Sequence, residues 1–297
     1  PSPTRKPNDG PSFVGEVVYA PDGRSIVTVS SGPDRVWDAS TGRIRRTIAA
    51  GGHGMAMSAA FSPDSGVLVL GRLDGSVTVQ DAVTGNPLCT FTGHRDAVDG
   101  IVYAPDGRTL ATASLDGTAR IWDAASGRTL HELIGSGAAL RAVAYSPDGA
   151  TLVTVAGNGA TTLWDVASGL SRRVLAGPVS PTDRMTYVVA FAPDGRTVVR
   201  GGDSGGVVSW DISANGGQHL VHDAGPVYGL AFSPDGRVLV YTTGDDTVHL
   251  VDPSTGDQVR SFTAGSTTTV DGVAFSPDGT RFATLGGLEG NLKTWTR

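Results

Sequence analysis

The sequence predicts an all-β fold built from seven copies of one small antiparallel sheet. Three observations predict it: a Pro-Asp turn that recurs seven times, a second signature at nearly constant spacing after that turn, and alternating apolar residues around both. The turn prolines, separated by 42, 42, 42, 46, 41 and 43 residues, are Pro21, Pro63, Pro105, Pro147, Pro193, Pro234 and Pro277. A unit of this length is too small to bury its own core, so the copies must stack on one another.

The second signature is a residue pair, usually Trp-Asp, in which the aspartate is present in six repeats and is replaced by threonine in the last. The seven pairs are Trp37-Asp38, Gln80-Asp81, Trp122-Asp123, Trp164-Asp165, Trp210-Asp211, Val251-Asp252 and Trp295-Thr296. In the third repeat, the alternating segments Arg108–Ser114 and Gly117–Asp123 flank a turn, and Gly127–Leu133 follows them. Four such segments, joined by Gly, Pro and Asp turns, make one antiparallel sheet, and no segment shows sustained helical periodicity.

Seven units in phase, four of which carry the Trp-Asp pair itself, resemble the WD-repeat β-propeller family. The resemblance covers nearly the whole chain, from Pro21 to Trp295, and implies a seven-bladed β-propeller of four-stranded antiparallel blades. In that family the strands of a blade run a, b, c, d from the central channel outward. The Pro-Asp turns are then a–b connections on one face, and the turns before each Trp are b–c connections on the other. Arginine outnumbers lysine 21 to 2, which is typical of a GC-rich genome and favours a bacterial-type domain.

The repeats follow one another without a gap, so we predict a single propeller domain over residues 13–297. Residues 1–12 have the composition of a linker, which favours a tether from a preceding domain. Because the chain ends on strand c of the seventh repeat, we expect residues 2–7 to supply the outer strand of that blade. The alternative is an open or partly missing outer strand.

Composition narrows the classes of function. A formal net charge of -6 argues against a general nucleic-acid binder and against docking on an anionic membrane. Cys89 is the single cysteine, which excludes a disulfide framework and a thiolate metal cluster. No apolar run approaches membrane-spanning length, and no signal peptide is visible. The compartment is left open, with the cytoplasm favoured, and no cofactor is expected.

One repeat carries a complete polar network by the resemblance. His94, Ser114, Asp116 and Trp122 occupy the positions that form a hydrogen-bonded network inside a WD-repeat blade. A buried carboxylate needs donors, which an imidazole, a hydroxyl and an indole can supply. The same Asp, His and Ser can be interpreted as a catalytic triad, but a fixed register in the repeat explains them without catalysis. We therefore expect a structural network, with the third blade the most rigid.

Two other motifs are interpreted as structural. Gly202–Gly206 spells GDSGG, which resembles the nucleophile loop of trypsin-like proteases, but the histidine context of that family is missing and the motif is in phase with a b–c turn. His219 and His222 are three residues apart, which on a strand places them on opposite faces. A solvated pair is favoured over a zinc site.

The resemblance also places a candidate partner site, since WD-repeat proteins often bind partners on the face of the d–a and b–c loops near the channel. Candidates at the start of strand a are Met57, Asp99, Arg141, Tyr187, Tyr228 and Asp271, and candidates just before the turn acids are Leu73 and Leu115. Tyrosine, methionine and arginine are enriched at interfaces, and exposed leucine in a turn needs a reason. The long d–a loop Gly177–Met185 is expected to rise beside Tyr187. The alternative is variable surface, with the leucines packed against neighbouring blades.

The predicted function is a non-catalytic, monomeric interaction domain that binds a protein or peptide. We expect Asp99 and Asp271 to receive a basic residue, Met57 and the tyrosines an apolar one, and Arg141 an acidic group. A first alternative is a sensor or regulatory module of a larger signalling protein, such as a kinase or NTPase. A second is a propeller enzyme, which requires convergent catalytic groups at the channel mouth.

Overall fold

The computed structural model describes residues 15–30, 33–49, 52–176, 188–202, 206–213, 218–222, 225–265, 269–286 and 291–297. Within these ranges the chain forms only strands and turns, which are arranged as seven antiparallel sheets. The predicted all-β, seven-bladed propeller is confirmed.

The first four blades each have four strands. Blade one is β1 (Glu16–Tyr19), β2 (Ser25–Val29), β3 (Arg35–Asp38) and β4 (Ile44–Thr47). Blade two is β5 (Ala56–Phe61), β6 (Val67–Arg72), β7 (Val77–Asp81) and β8 (Pro87–Phe91). Blade three is β9 (Val98–Tyr103), β10 (Thr109–Ser114), β11 (Thr118–Asp123) and β12 (Thr129–Ile134). Blade four is β13 (Leu140–Tyr145), β14 (Thr151–Ala156), β15 (Thr161–Asp165) and β16 (Ser171–Ala176).

The last three blades repeat the pattern. Blade five is β17 (Val188–Phe191), β18 (Thr197–Gly201), β19 (Val207–Asp211) and β20 (Gln218–His222). Blade six is β21 (Val227–Phe232), β22 (Leu239–Thr243), β23 (Thr247–Val251) and β24 (Gln258–Thr263). Blade seven is β25 (Val270–Phe275), β26 (Arg281–Gly286) and β27 (Asn291–Thr296). The strand that we expect from residues 2–7 beside β27 lies outside the described residues, as does the predicted boundary at residue 12.

The blades form a closed ring around their first strands. In every sheet consecutive strands pair in order, so the first strand of a blade is the innermost. Each inner strand contacts the inner strand of the next blade, from β1 to β5 onward, and β25 contacts β1. Apolar side chains fill the space between blades, and one buried cluster joins Val17 and Ile26 of blade one to Ala283 and Leu285 of blade seven. This cluster closes the ring through its core.

The Pro-Asp turns share one hydrogen bond. In each of them the aspartate Oδ1 accepts the backbone amide two residues later, for example Arg24 N to Asp22 at 2.9 Å and Arg108 N to Asp106 at 2.9 Å. The corresponding aspartates of the other blades are Asp64, Asp148, Asp194, Asp235 and Asp278. An aspartate side chain that bonds its own backbone in this way stabilises a tight turn. The repeated sequence signature therefore has a local structural cause.

Candidate partner-binding face

The b–c turns and the starts of the inner strands lie together on one face, which we call the loop face. Backbone amides of Leu73, Leu115 and Gly157 in three b–c turns donate to carbonyl oxygens just before the inner strands, at 3.0, 2.9 and 2.7 Å. These bonds fix each turn against the entry of its own blade's strand a. The Pro-Asp turns connect the other ends of the same strands and form the opposite face.

A β-bulge marks the candidate position at the start of the inner strand. In β9, Val98 pairs with Ser114 and Gly100 pairs with Ala113, so Asp99 has no partner in the ladder. The described candidates at this position all stand at such a bulge and are all half-buried: Met57, Asp99, Arg141, Tyr228 and Asp271. A bulge removes a residue from the pairing register and redirects its side chain. The five candidates therefore share one backbone geometry at the channel mouth.

Two of these residues bind each other. Nη1 of Arg141 donates to Oδ2 of Asp99 across the boundary between blades three and four, at 3.1 Å. Burial raises the pKa of Asp99, and the Arg141 guanidinium offsets part of that rise. The expectation that Asp99 receives a base while Arg141 receives an acid treats them as separate groups. The structure couples them instead, because they are neighbours around the ring.

Glu16 is a buried carboxyl group near Asp99 that the sequence patterns did not indicate. Its Oε2 accepts the backbone amide of Ala59 in blade two, at 2.8 Å. Burial raises the pKa of Glu16 to about 8; the Ala59 amide opposes this rise and the nearby charge of Asp99 adds to it. A signal was present, since the corresponding positions of the other six blades carry no charged residue: Ser58, Gly100, Ala142, Val188, Gly229 and Gly272.

Asp271 is held on the blade-seven side of the channel mouth. The Thr269 hydroxyl donates to its Oδ1 at 2.5 Å. Burial raises the pKa of Asp271 to about 6, against hydrogen bonds from Thr269 and from the Gly15 backbone. Glu16, Asp99 and Asp271 are thus three desolvated carboxyl groups, and Arg141 is paired with one of them.

We call the residues at the inner-strand bulges the ring residues, because they lie around the propeller ring. Glycines in two b–c turns make room for the larger of their side chains. A Cβ on Gly244 would lie 2.9 Å from Cε2 of Tyr228, and a Cβ on Gly157 would lie 3.7 Å from Nε of Arg141. Tyr228 and Arg141 therefore lean over the turns of their own blades. Blades two and three have leucine at the turn instead: Leu73 is 50% exposed and Leu115 is half-buried. The candidate Tyr187 and the loop Gly177–Met185 lie outside the described residues.

Thr112 completes the polar network of blade three. Nδ1 of His94 lies 3.0 Å from Oδ2 of Asp116, and Nε2 lies 2.7 Å from the Thr112 hydroxyl. The same hydroxyl accepts the Trp122 indole N–H at 2.8 Å. Asp116 also accepts backbone amides from Arg95 and Thr118. Burial alone would raise the pKa of Asp116, but these hydrogen bonds together hold it well below its usual range.

Ser114, which we expected in this network, instead binds the backbone beside the b–c turn. Its hydroxyl donates to the Asp96 carbonyl at 2.9 Å and accepts the Asp116 amide at 3.1 Å. Thr112 and Ser114 are two residues apart on one strand face, but Ser114 is the last residue of β10 and lies beside the turn. The indole instead reaches diagonally across the ladder to Thr112. This correction also separates Ser114 from the imidazole nitrogens that a catalytic triad would need.

The Trp–Thr hydrogen bond recurs in other blades. Three further indoles donate to the equivalent threonine at 2.9 Å, in the pairs Trp37–Thr28, Trp164–Thr154 and Trp295–Thr284. Blade five has Arg200 at the threonine position, and its guanidinium carbon lies 5.6 Å from the centre of the Trp210 ring. The indole nitrogen of Trp210 is buried without a hydrogen-bond partner among the described residues. The network is therefore complete in blade three and reduced elsewhere.

A buried ion pair joins blades one and two beneath the loop face. Nη1 of Arg72 lies 3.8 Å from Oδ2 of Asp34, with the side chains 3% and 7% exposed. Nε of Arg72 also donates to the Thr78 hydroxyl at 3.0 Å. Burial raises the pKa of Asp34 to about 6, and the charge of Arg72 opposes this rise. Asp34 is thus part of an inter-blade contact.

The described residues contain no group of three or more His, Cys, Asp or Glu side chains placed to hold a metal ion. The same part of the chain has no helix long and apolar enough to span a membrane. Residues 203–205 of the GDSGG motif lie outside it. His219 and His222 both lie in β20, and their side chains are outside the described part.

Two family models match parts of the chain. The model for the WD domain, G-beta repeat, matches residues 85–123 and 127–165. These segments are similar to WD repeats. They run from the outer strand of blade two through strand c of blade four, and so include the blade with the complete network. The model for the anaphase-promoting complex subunit 4 WD40 domain matches residues 210–276. None of the curated proteins compared with the chain matches it. WD-repeat propellers are generally interaction modules that bind proteins or peptides.

Proposed function

We propose that this protein is a non-catalytic WD-repeat interaction domain that binds a peptide or protein segment on the loop face, near the channel. One observation carries the proposal: in five blades the same β-bulge presents a residue whose type changes from repeat to repeat, as methionine, aspartate, arginine or tyrosine. A bulge repeated in this way presents variable side chains on an invariant frame. Recognition residues are commonly placed on a rigid scaffold in this manner.

The distribution of exposed apolar residues supports this choice of face. Leu73 is the described large apolar side chain on the loop face with strong exposure, at 50%. The other strongly exposed ones lie on outer strands or in c–d turns: Ile44, Val83, Leu88, Ile134, Leu170, Val174 and Val259. Leu73 lies in the same blade as Met57, so an apolar contact and a bulged ring residue are close together.

A peptide selection with matched variants tests the proposal. Peptides from a phage-displayed random library are selected on the wild-type protein and then measured against Leu73→Asp and Leu170→Asp. Both positions are exposed leucines, at 50% and 67%, but Leu170 lies in a c–d turn on the opposite face. We expect Leu73→Asp to weaken binding by about tenfold or more and Leu170→Asp to leave it unchanged. The reverse pattern would show that binding uses the Pro-Asp turn face.

Glu16 gives a pH-dependent prediction that does not need a partner. Between its ordinary pKa of 4.5 and about 8, the folded protein holds a proton that the unfolded chain releases. The contribution of Glu16 to stability therefore falls as the pH rises through this window. Glu16→Gln keeps an oxygen for the Ala59 amide without the charge. We expect this variant to be more stable than the wild type by at least about 1 kcal/mol at about pH 9, and nearly equal to it at about pH 5.

Denaturant unfolding at the two pH values measures this difference. The matched control is Glu132→Gln, because the Glu132 carboxylate is 42% exposed, unlike Glu16, although its partner Arg120 is 16% exposed. Exposed ion pairs contribute about 0–1 kcal/mol, so the control is expected to change little. Equal stability of Glu16→Gln and the wild type at the higher pH would contradict the burial of an uncompensated carboxylate.

A further inference from the structure

We propose that the bound segment carries a cationic side chain, and that this side chain enters the channel mouth between Glu16 and Asp99 with an apolar neighbour over Leu73. The inference rests on the proposed function and narrows it to one sector and one chemical class of partner. The acidic–apolar sector is defined by Glu16, Met57, Leu73, Asp99 and Leu115, which belong to blades one to three.

The apolar half of the sector lies on adjacent blades. Met57 and Leu73 are the ring and turn residues of blade two, and Leu115 is the turn residue of blade three. Leu73 keeps half of its side chain exposed, although it lies against the entry of its own blade's inner strand. Burying apolar surface of this kind stabilises a complex by about 25 cal/mol per Å². An apolar side chain of the partner would therefore bind here.

The charged half of the sector identifies the partner's polar group. Oε2 of Glu16 accepts the Ala59 amide, and Oε1 has no hydrogen-bond partner among the described residues. Asp99 pairs through Oδ2 with Arg141, and its negative charge acts on Glu16. Arg141 thus faces Asp99, whereas Glu16 accepts only the Ala59 amide among the described residues. A lysine, an arginine or an amino terminus would favour the ionised form of Glu16 and would bind both carboxyl groups.

The same contacts disfavour an anionic partner group. Arg141 is the cation among the described ring residues, and its Nη1 is already bonded to Asp99. A phosphate or carboxylate would have to break this pair, and it would meet the released Asp99 carboxylate as a like charge. Charge complementarity therefore selects a basic segment. On the other side of the channel mouth, Tyr228 lies over the turn of its own blade at Gly244. The acidic–apolar sector of blades one to three is therefore the better position for an inserted side chain.

Selected peptides provide the test. Binders are taken from the phage-displayed random library, and each lysine or arginine in a synthetic binder is replaced by glutamine in turn. We expect one such replacement to raise Kd by about tenfold, and Glu16→Gln in the protein to raise Kd for the unmodified peptide similarly. The two changes together are expected to cost no more than either alone, because they remove the same interaction. Added salt is expected to weaken the wild-type complex and to affect the Glu16→Gln complex less.

The outcomes separate this inference from the proposed function. Binders that are lost on Leu73→Asp but have no required basic residue would overturn the cationic partner and leave the interaction face intact. A required basic residue that depends on Asp271→Asn rather than on Glu16→Gln would place the cation outside the sector and overturn the assignment. Binders lost only on Leu170→Asp, or a library that yields no binder, would overturn both proposals.

Discussion

Replacing Arg72 with methionine is expected to destabilise the protein by about 3–5 kcal/mol at about pH 8, the largest effect that we expect from one substitution. The change removes the cation that faces Asp34 at 3.8 Å and leaves a carboxyl group with 7% side-chain exposure. The charge of Arg72 opposes the effect of burial on the pKa of Asp34. Without this charge, the pKa of Asp34 is expected to rise beyond its present value of about 6. The folded state then either carries an unpaired buried charge or binds a proton.

The pH dependence distinguishes this mechanism from a simple loss of packing. The folded pKa of Asp34 lies above the ordinary 3.8, so its contribution to stability falls as the pH rises from about 4 to about 6. In Arg72→Met this fall continues above pH 6, so the deficit relative to the wild type is expected to be greater at about pH 8 than at about pH 5. Denaturant unfolding at both values measures it.

The double variant Arg72→Met with Asp34→Asn is the control. It removes both charges and is expected to recover much of the lost stability, since replacing a buried ion pair as a whole is often neutral. A double variant that is as unstable as Arg72→Met at both pH values would show that the arginine acts through its contact with Thr78 and its packing.

Asp116→Ala is expected to lower the free energy of unfolding by more than about 2 kcal/mol. The carboxylate accepts four hydrogen bonds or close polar contacts in blade three, from the Arg95 amide, the Thr118 amide and hydroxyl, and the His94 ring. Alanine removes the acceptor and leaves these donors beside a buried imidazole. The loss is expected to appear in the thermal midpoint and in faster hydrogen exchange of the blade-three amides.

A second aspartate of the same blade provides the matched control for this prediction. Asp106 lies in the Pro-Asp turn, is 58% exposed and accepts the Arg108 amide at 2.9 Å. Asp106→Ala is expected to cost about 0.5–1.5 kcal/mol, as for one ordinary hydrogen bond. If Asp116→Ala and Asp106→Ala have the same melting temperature, the hydrogen-bond network does not stabilise blade three more than an ordinary turn does.

The fold was predictable because the sequence of each repeat indicates where its turns and strands lie. Pro and Asp at a fixed spacing determine the a–b turns, where the carboxylate bonds its own backbone, and the alternation of apolar residues determines the strands. Seven agreeing copies leave little freedom in the architecture. The position of the ring residues was predictable for the same reason, since Asp99 and Arg141 differ in type but occupy one register position.

The contacts between repeats were not predictable in this way. A period-2 pattern does not indicate a bulge, and it does not show that Asp99 and Arg141 bind each other across a blade boundary. Ser114 was expected in the position that Thr112 occupies, because both are small hydroxyl residues on one face of β10. Glu16 was missed because its partner is a backbone amide of another repeat, which has no sequence signature.

The bulges at the channel mouth have a consequence for how such a face can change. A residue at a bulge has no partner in the strand ladder. Met57 or Tyr228 can therefore be replaced without altering the strand register on either side. Blades with a bulky ring residue compensate locally with glycine in the adjoining turn, as at Gly244. The bulge residue of each blade can thus change almost independently of the others. The exception is the Asp99–Arg141 ion pair, in which both residues must change together. Natural variation and laboratory libraries can therefore change the surface of this face one blade at a time.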